Sequence, residues 1–197
     1  MRSTFRMFTA AAFASTLVGC AGTDFVRPAV DSFTNGQTTH AQVVQQMGPP
    51  RREGTLTRND KVVKTIVYAY ASHGQALHEG VIPARAQGFY FYNDTLVGHE
   101  FVSSFAVDHT DFDEKKISSI VKGKTSQSEL TQLFGKPSGY YIHPLIKAQT
   151  GNAAVYLFQE TSGSAFTGLK LFRKILIVSF ETGGIVSDID FSSSGSK

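Results

Sequence analysis

Apolar and polar residues follow two distinct periods along this chain, and the switches between them mark its elements. Period-two runs predict strands at residues 62–70, 88–92 and 96–102, and again at 154–158, 174–180 and 184–191. Asn93-Asp94 supplies a tight turn between the second and third of them. Helical spacing appears twice, as Val43, Val44 and Met47 and as Leu130, Leu133 and Phe134. Ahead of each stripe, Thr39 with Gln42 and Ser126 with Glu129 have capping-box spacing, and Thr38 and Thr125 are rival caps one residue earlier. Gly48 and Gly135 end the two helices, and Pro50 and Pro137 prevent their resumption. Helices of two or three turns do not persist alone, so each must lay its stripe on a sheet. A further helix is expected at 112–120, where Asp113 and Glu114 precede Lys115 and Lys116 as the helix dipole prefers.

These elements recur. Phe33 and Ile120, Gly36 and Gly123, Thr38 and Thr125, Val43 and Leu130, Met47 and Phe134, Gly48 and Gly135, and Pro50 and Pro137 correspond at a constant offset of 87. Further on, Phe91, Leu96, Val97 and Ser103-Ser104 correspond to Phe180, Ile185, Val186 and Ser192-Ser193 at an offset of 89, the drift of one small loop insertion. The expected fold is α+β: two tandem modules, residues 32–106 and 107–193, each with one or two short helices packed on a three-stranded antiparallel sheet.

The Gly-x-Thr before each helix, the Gly-x-Pro after it and the closing hairpin resemble the SmpA/OmlA (BamE-like) module of outer-membrane lipoproteins. Two such modules in tandem are similar to the beta-lactamase inhibitor proteins, whose concave sheet grips its partner. The resemblance covers most of residues 32–193, and its motifs are short. In that family the glycines and prolines shape the fold and perform no chemistry. The tandem arrangement departs from the single-module assembly factor. The resemblance implies a protein-binding or scaffold role in the envelope, with outer-membrane assembly or integrity as the process served.

The N-terminus points to the same compartment. Arg2 and Arg6 precede an apolar run, residues 7–18, too short to span a bilayer, for which about 20 apolar residues are needed. The run ends in Leu17-Val18-Gly19-Cys20, which resembles the lipobox of bacterial lipoproteins. The resemblance implies cleavage after residue 19 and acyl chains on Cys20; a buried N-terminal helix with a free thiol is the bland alternative. Ala21 instead of aspartate implies the periplasmic face of the outer membrane. Residues 20–31 then read as a tether and 194–197 as a flexible tail.

Composition narrows the function. Cleavage of 19 residues from 197 leaves 178, and loss of the two arginines lowers the formal charge from +3 to +1. No dense basic patch survives, which disfavours nucleic acid as a partner. Cys20 is the one cysteine, so an intrachain disulfide and a multi-thiolate metal site are both excluded. No nucleotide-binding, zinc-protease or serine-hydrolase motif occurs, and no cofactor is expected. His109 with Asp108 and Asp111 is the best local cluster for a base or metal, and equally a solvated linker turn. His73 and His78-Glu79 fall in a loop between strands, His143 in a turn and His99 in a strand. Tyr68 and Tyr70 share one strand face, and Tyr90 and Tyr92 share another. Either pair is helix-packed core or an aromatic partner-binding surface. The leading expectation is therefore a protein-binding envelope lipoprotein and not an enzyme. An inhibitor of an envelope enzyme is one alternative, and a ligand carrier or envelope hydrolase is the other.

Overall fold

The computed structural model describes residues 22–29, 31–164 and 168–196. The proposed signal peptide and Cys20 lie outside the described residues. Helix α1 (His40–Met47) precedes β1 (Arg52–Arg58), β2 (Lys61–Ala71), β3 (Val81–Ile82), β4 (Ala84–Tyr92) and β5 (Thr95–Ser103). A 3-10 turn (Glu114–Ser119) and α2 (Gln127–Phe134) lead to β6 (Gly139–Tyr141), β7 (Asn152–Ser164), β8 (Gly168–Phe180) and β9 (Val186–Gly195). The acid-to-lysine segment after Asp113 thus forms a 3-10 turn instead of an α-helix. Strand β9 continues to Gly195, into the polar tail.

The strands form one antiparallel sheet in the order β1-β2-β4-β5-β6-β7-β8-β9, with β3 paired to β7. This overturns the expectation of two modules, each with its own three-stranded sheet. The reason is a seam that hydropathy does not mark: β6 pairs with β5 through Gly98–Tyr141, His99–Tyr140 and Glu100–Gly139, and with β7 through Gly139–Val155, Tyr140–Ala154 and Tyr141–Ala153. Three residues close the gap, so the two halves share a continuous, curled sheet. The polar strand β1 is a further addition to the expected set; it pairs with β2 across the turn Asn59-Asp60. Asn59-Asp60 and Asn93-Asp94 all have positive φ, between 46° and 63°, the conformation a two-residue hairpin needs and Asn and Asp tolerate.

What repeats is a local device. Thr39 caps α1 and Ser126 caps α2, each with a reciprocal capping box. The rival caps act one step earlier and close the loop before each helix. Thr38 Oγ1 accepts from Thr34 N at 2.8 Å, and Thr125 Oγ1 accepts from Val121 N at 2.9 Å. That loop is stitched to the last hairpin of its half. Gly36 N donates to Leu96 O and Leu96 N to Thr38 O; Gly123 N donates to Val186 O and Val186 N to Thr125 O. Tyr68 and Tyr156 donate to Gly48 O and Gly135 O at the helix ends, at 2.7 and 3.2 Å.

Both helices cover the same face. Val43 with Phe33, Ile66, Tyr68, Phe89, Phe91 and Leu96 forms one core, and Leu130 with Tyr156, Phe158, Leu176, Val178, Phe180 and Val186 forms another. Between them lies the extended segment 22–29. Arg27 donates to Pro137 O at 2.5 Å and Ser138 O at 3.2 Å and lies 5.0 Å over the Phe101 ring. The other face carries a third core of Tyr141, Ile146, Ala153, Val155 and Leu157, roofed in part by the loop around Leu145.

A Cβ on Gly139 would lie 1.7 Å from the His99 carbonyl oxygen. Gly139→Ala therefore forces β5 and β6 apart. A loss of about 3 kcal/mol is expected, and because the seam is shared, chemical denaturation should show both helix-covered cores unfolding together in wild type. Two separate transitions in wild-type unfolding would contradict the continuous sheet.

Candidate functional site

Cross-strand neighbours place Gly88, Glu100, Gly139, Val155 and Ile177 in one row on the open face. Gly88, across the ladder from Glu100, and Gly98, two residues before it on β5, let large neighbours fold over it. A Cβ at Gly88 would touch the Tyr90 ring at 3.6 Å, and one at Gly98 would meet Tyr141 at 2.6 Å and Leu145 at 2.3 Å. Into that space Tyr90 and Tyr141 converge with ring centroids 5.6 Å apart, edge to face. The Tyr90 hydroxyl donates to Glu100 Oε1 at 2.8 Å, and the Tyr141 hydroxyl donates to Glu100 Oε2.

Glu100 is buried. Desolvation raises its pKa, while the Tyr90 hydrogen bond and Arg173 pull it down. Tyr90 is pushed up as well, first by burial and then by the Glu100 charge. Both carboxyl oxygens are engaged, so the group fixes two aromatic rings and offers no exposed base.

The rings form part of an open groove of about 830 Å³. Its wall on one side is Leu56 to Asn59 of the β1–β2 hairpin, and on the other Ser187 to Asp190 of β9. Ile175 and Ile177 of β8 and Leu145 to Ala148 complete it, with Arg58, Lys147 and Arg173 projecting their charges there. Asn59 anchors the loop by donating to Pro144 O at 2.8 Å and Ile146 O at 2.9 Å. Asp188 is neutralised by Lys122 at 2.5 Å, whose hydrogen bond is the first cause of its lowered pKa. Arg58, Lys147 and Arg173 make no ion pair among the described residues.

The four tyrosines singled out from sequence do not form one surface. Tyr68 is buried against α1, and Tyr70 stacks on Phe105 on the same helix-covered side. Tyr90 faces the groove, and Tyr92 lies two residues along the same strand. The linker cluster also disperses. Asp108 pairs with Arg85 at 3.2 Å, Asp111 with Lys174 at 2.6 Å, and His109 is exposed. His78 pairs with Glu160 at 2.8 Å. Among the described residues no three His, Cys, Asp or Glu side chains gather as a metal site. Glu100 was missed, although a charged residue inside the apolar strand 96–102, on the face of Gly98 and Val102, was a readable sign. Tyr141 had no such sign, because three residues are too few to show a period.

His99 looks the other way, into the narrow cleft beside Arg27, Gln87 and Tyr140. Burial, and then the Arg27 charge, lower its pKa to about 4.

No protein-family model matches the chain, and no curated protein matches it. A solved structure with some likeness is a candidate beta-lactamase inhibitor protein from Streptococcus mutans, at 12% identity over 79% of this chain and 82% of that one, with a TM-score of 0.34. The continuous sheet corrects the resemblance to tandem SmpA/OmlA (BamE-like) modules: no such modules are seen, and the sheet does not divide into them. The motifs behind it belong to a cap-and-hairpin stitch.

The two buried groups titrate with opposite signs. Unfolded His99 protonates near pH 6.5 and folded His99 near 4, so its contribution is present above about pH 6.5 and is lost as pH falls to about 4, by up to about 3 kcal/mol. His99→Gln should flatten the stability profile across that window, as measured by urea midpoints. Burial raises the pKa of Glu100 in the folded state, so its contribution is lost as pH rises through that raised pKa. Glu100→Gln should accordingly gain on wild type with increasing pH; a gap that is constant from pH 5 to 9 would contradict this.

Proposed function

We propose that this chain works by binding another protein, with the open-face groove as its recognition surface, while acyl chains on Cys20 hold it at the periplasmic face of the outer membrane. The observation that carries the binding reading is the groove itself. It sets an aromatic and aliphatic floor (Tyr90, Tyr141, Ile175, Ile177) among three cations and one carboxylate, Asp190, that make no ion pair in the described residues, which leaves the cations in excess. Interfaces concentrate affinity in rigid aromatic anchors, and the Glu100 clasp holds two of them before any partner arrives. The cations favour an acidic segment on the partner, steering its approach and disfavouring basic competitors. The dispersal of the Asp108, His109 and Asp111 cluster supports binding over catalysis. Outer-membrane assembly, which rested on the family resemblance, is not part of this reading.

A photo-crosslinking residue at Ile177, inside the groove, should give discrete protein adducts in envelope-bearing cells, whereas one at Val121, exposed beyond it, should not. Arg173→Glu should weaken that capture by about tenfold or more, the equivalent of 1.4 kcal/mol. Adducts that are the same at both positions, or indifferent to Arg173, would defeat the proposal.

A further inference from the structure

One end of the sheet carries apolar side chains that are exposed among the described residues. At this upper end β2 finishes at Ala71, β4 begins at Ala84, β5 finishes at Ser103, and the β7–β8 hairpin extends to Ser164 and Gly168. Of the large apolar residues that are well exposed, Leu169 (66%), Leu171 (52%), Ile82 (38%) and Val107 (86%) all belong to it. Two of them align. Ile82 pairs with Thr161 and Thr161 with Leu171, so Ile82 and Leu171 occupy one row on the open face, and Leu169 stands two residues further along the same strand. Below this row is a hollow of about 220 Å³ whose lining includes Ala69, Ala71, Ala84, Ala86 and Val102, with Arg51 and Arg85 at it too. A hairpin arm bathed in water would carry polar groups here, and exposed apolar strips of this kind mark a contact surface.

The N-terminal segment indicates what that surface meets. Gly22 lies so close to β2 that a Cβ on it would be 2.0 Å from Ala69 O. Phe25 O accepts from Arg85, and Arg27 is bonded to Pro137 O, so the segment is held along its length. Cys20 precedes Gly22 by two residues, and a chain advances at most about 3.6 Å per residue, which puts it within about 7 Å of that point. A chain leaving the fold at Gly22 therefore starts at the same end of the sheet as the apolar row, beside β2 and five strand pairings across from β8.

We propose that this end of the sheet is a second membrane contact, in which Ile82, Leu169 and Leu171 insert into the phospholipid leaflet that holds the acyl chains of Cys20. The inference rests on the lipid-anchor reading above. The nearby exposed charges suit a shallow insertion: Lys170 alternates with the two leucines and can reach headgroups, while Asp24 and Asp108 are drawn to Arg85 and Glu79 stands on the neighbouring loop. Two contacts separated across the sheet stop the domain from swinging about its anchor. The strands then stand upright on the membrane. Ile177, eight residues along β8 from Leu169, is held roughly 26 Å above it, with the groove open to the aqueous space.

The test uses the full acylated lipoprotein in vesicles of phosphatidylethanolamine and phosphatidylglycerol. Leu169→Cys, Leu171→Cys and, as the lower-end control, Val62→Cys are each labelled with an environment-sensitive fluorophore, Cys20 being blocked by its acyl chains. Spin-labelled lipids should quench the probes at 169 and 171 at least twofold and leave the probe at 62 unchanged. Equal quenching at all three sites, or none at 169 and 171 in a chain that mass spectrometry shows to be acylated, overturns the membrane contact and leaves the anchor standing. Shielding of 169 and 171 from aqueous iodide without lipid quenching overturns it in favour of a protein on the arm. An unacylated Cys20 overturns both readings.

Discussion

Everything else in this molecule depends on three residues of β6. Without the pairing of Gly139, Tyr140 and Tyr141 to β5 and β7, each half would end in an open sheet edge, and the open face would be two shallow patches. The pairing requires an absent side chain. The backbones approach so closely at Gly139 that a single methyl would collide with the opposite carbonyl. From that contact follow the row that includes Glu100, the meeting of Tyr90 with Tyr141, and the floor on which the groove is built. The helix-covered side depends on it too, since Arg27 docks on the carbonyls of Pro137 and Ser138 that lead into β6.

The elements with strong periodicity were legible. Both helices with their capping boxes, and the cores of six strands, follow from apolar spacing and from Asn, Asp and Gly at turns. The global assembly was not. Two matching sets of motifs read naturally as two modules, but local motifs report local stitches: Gly36 to Leu96 and Gly123 to Val186 are each closed within one half. Whether two such halves share a sheet is decided by contacts such as Glu100 with Gly139, which leave no periodic trace. The strand β1 was hidden for the opposite reason. Exposed on nearly every residue, it carries no apolar alternation to detect.

The site followed the same division. Tyr90 was visible as one of a period-two pair, but its partner Tyr141 and the carboxyl that joins them come from strands that meet only in three dimensions. Glu100 illustrates how such a group is retained. Burying a carboxyl is unfavourable, and two donated hydrogen bonds offset part of that cost. The return is orientation: the aromatic floor has fixed rings instead of rotating ones. His99, its neighbour in sequence, faces the opposite side and is kept neutral by burial. One strand thus holds two titratable groups in separate compartments.

A sheet whose middle strand is so short is also mechanically uneven. Strands β7 and β8 run side by side for 13 residues each, whereas the halves are joined through the three residues of β6 and the two pairs of β3 with β7. Resistance to bending scales with the width of the joint, so flexure should concentrate along this seam of β6 and the β3–β7 pairs as in a hinge. The groove's two rims, on β1 and β9, lie on opposite sides of that hinge, and a small rotation there becomes a larger change in aperture. The fold therefore has the build of a pair of callipers: rigid arms, a narrow pivot, and a jaw that can settle onto partners of somewhat different girth.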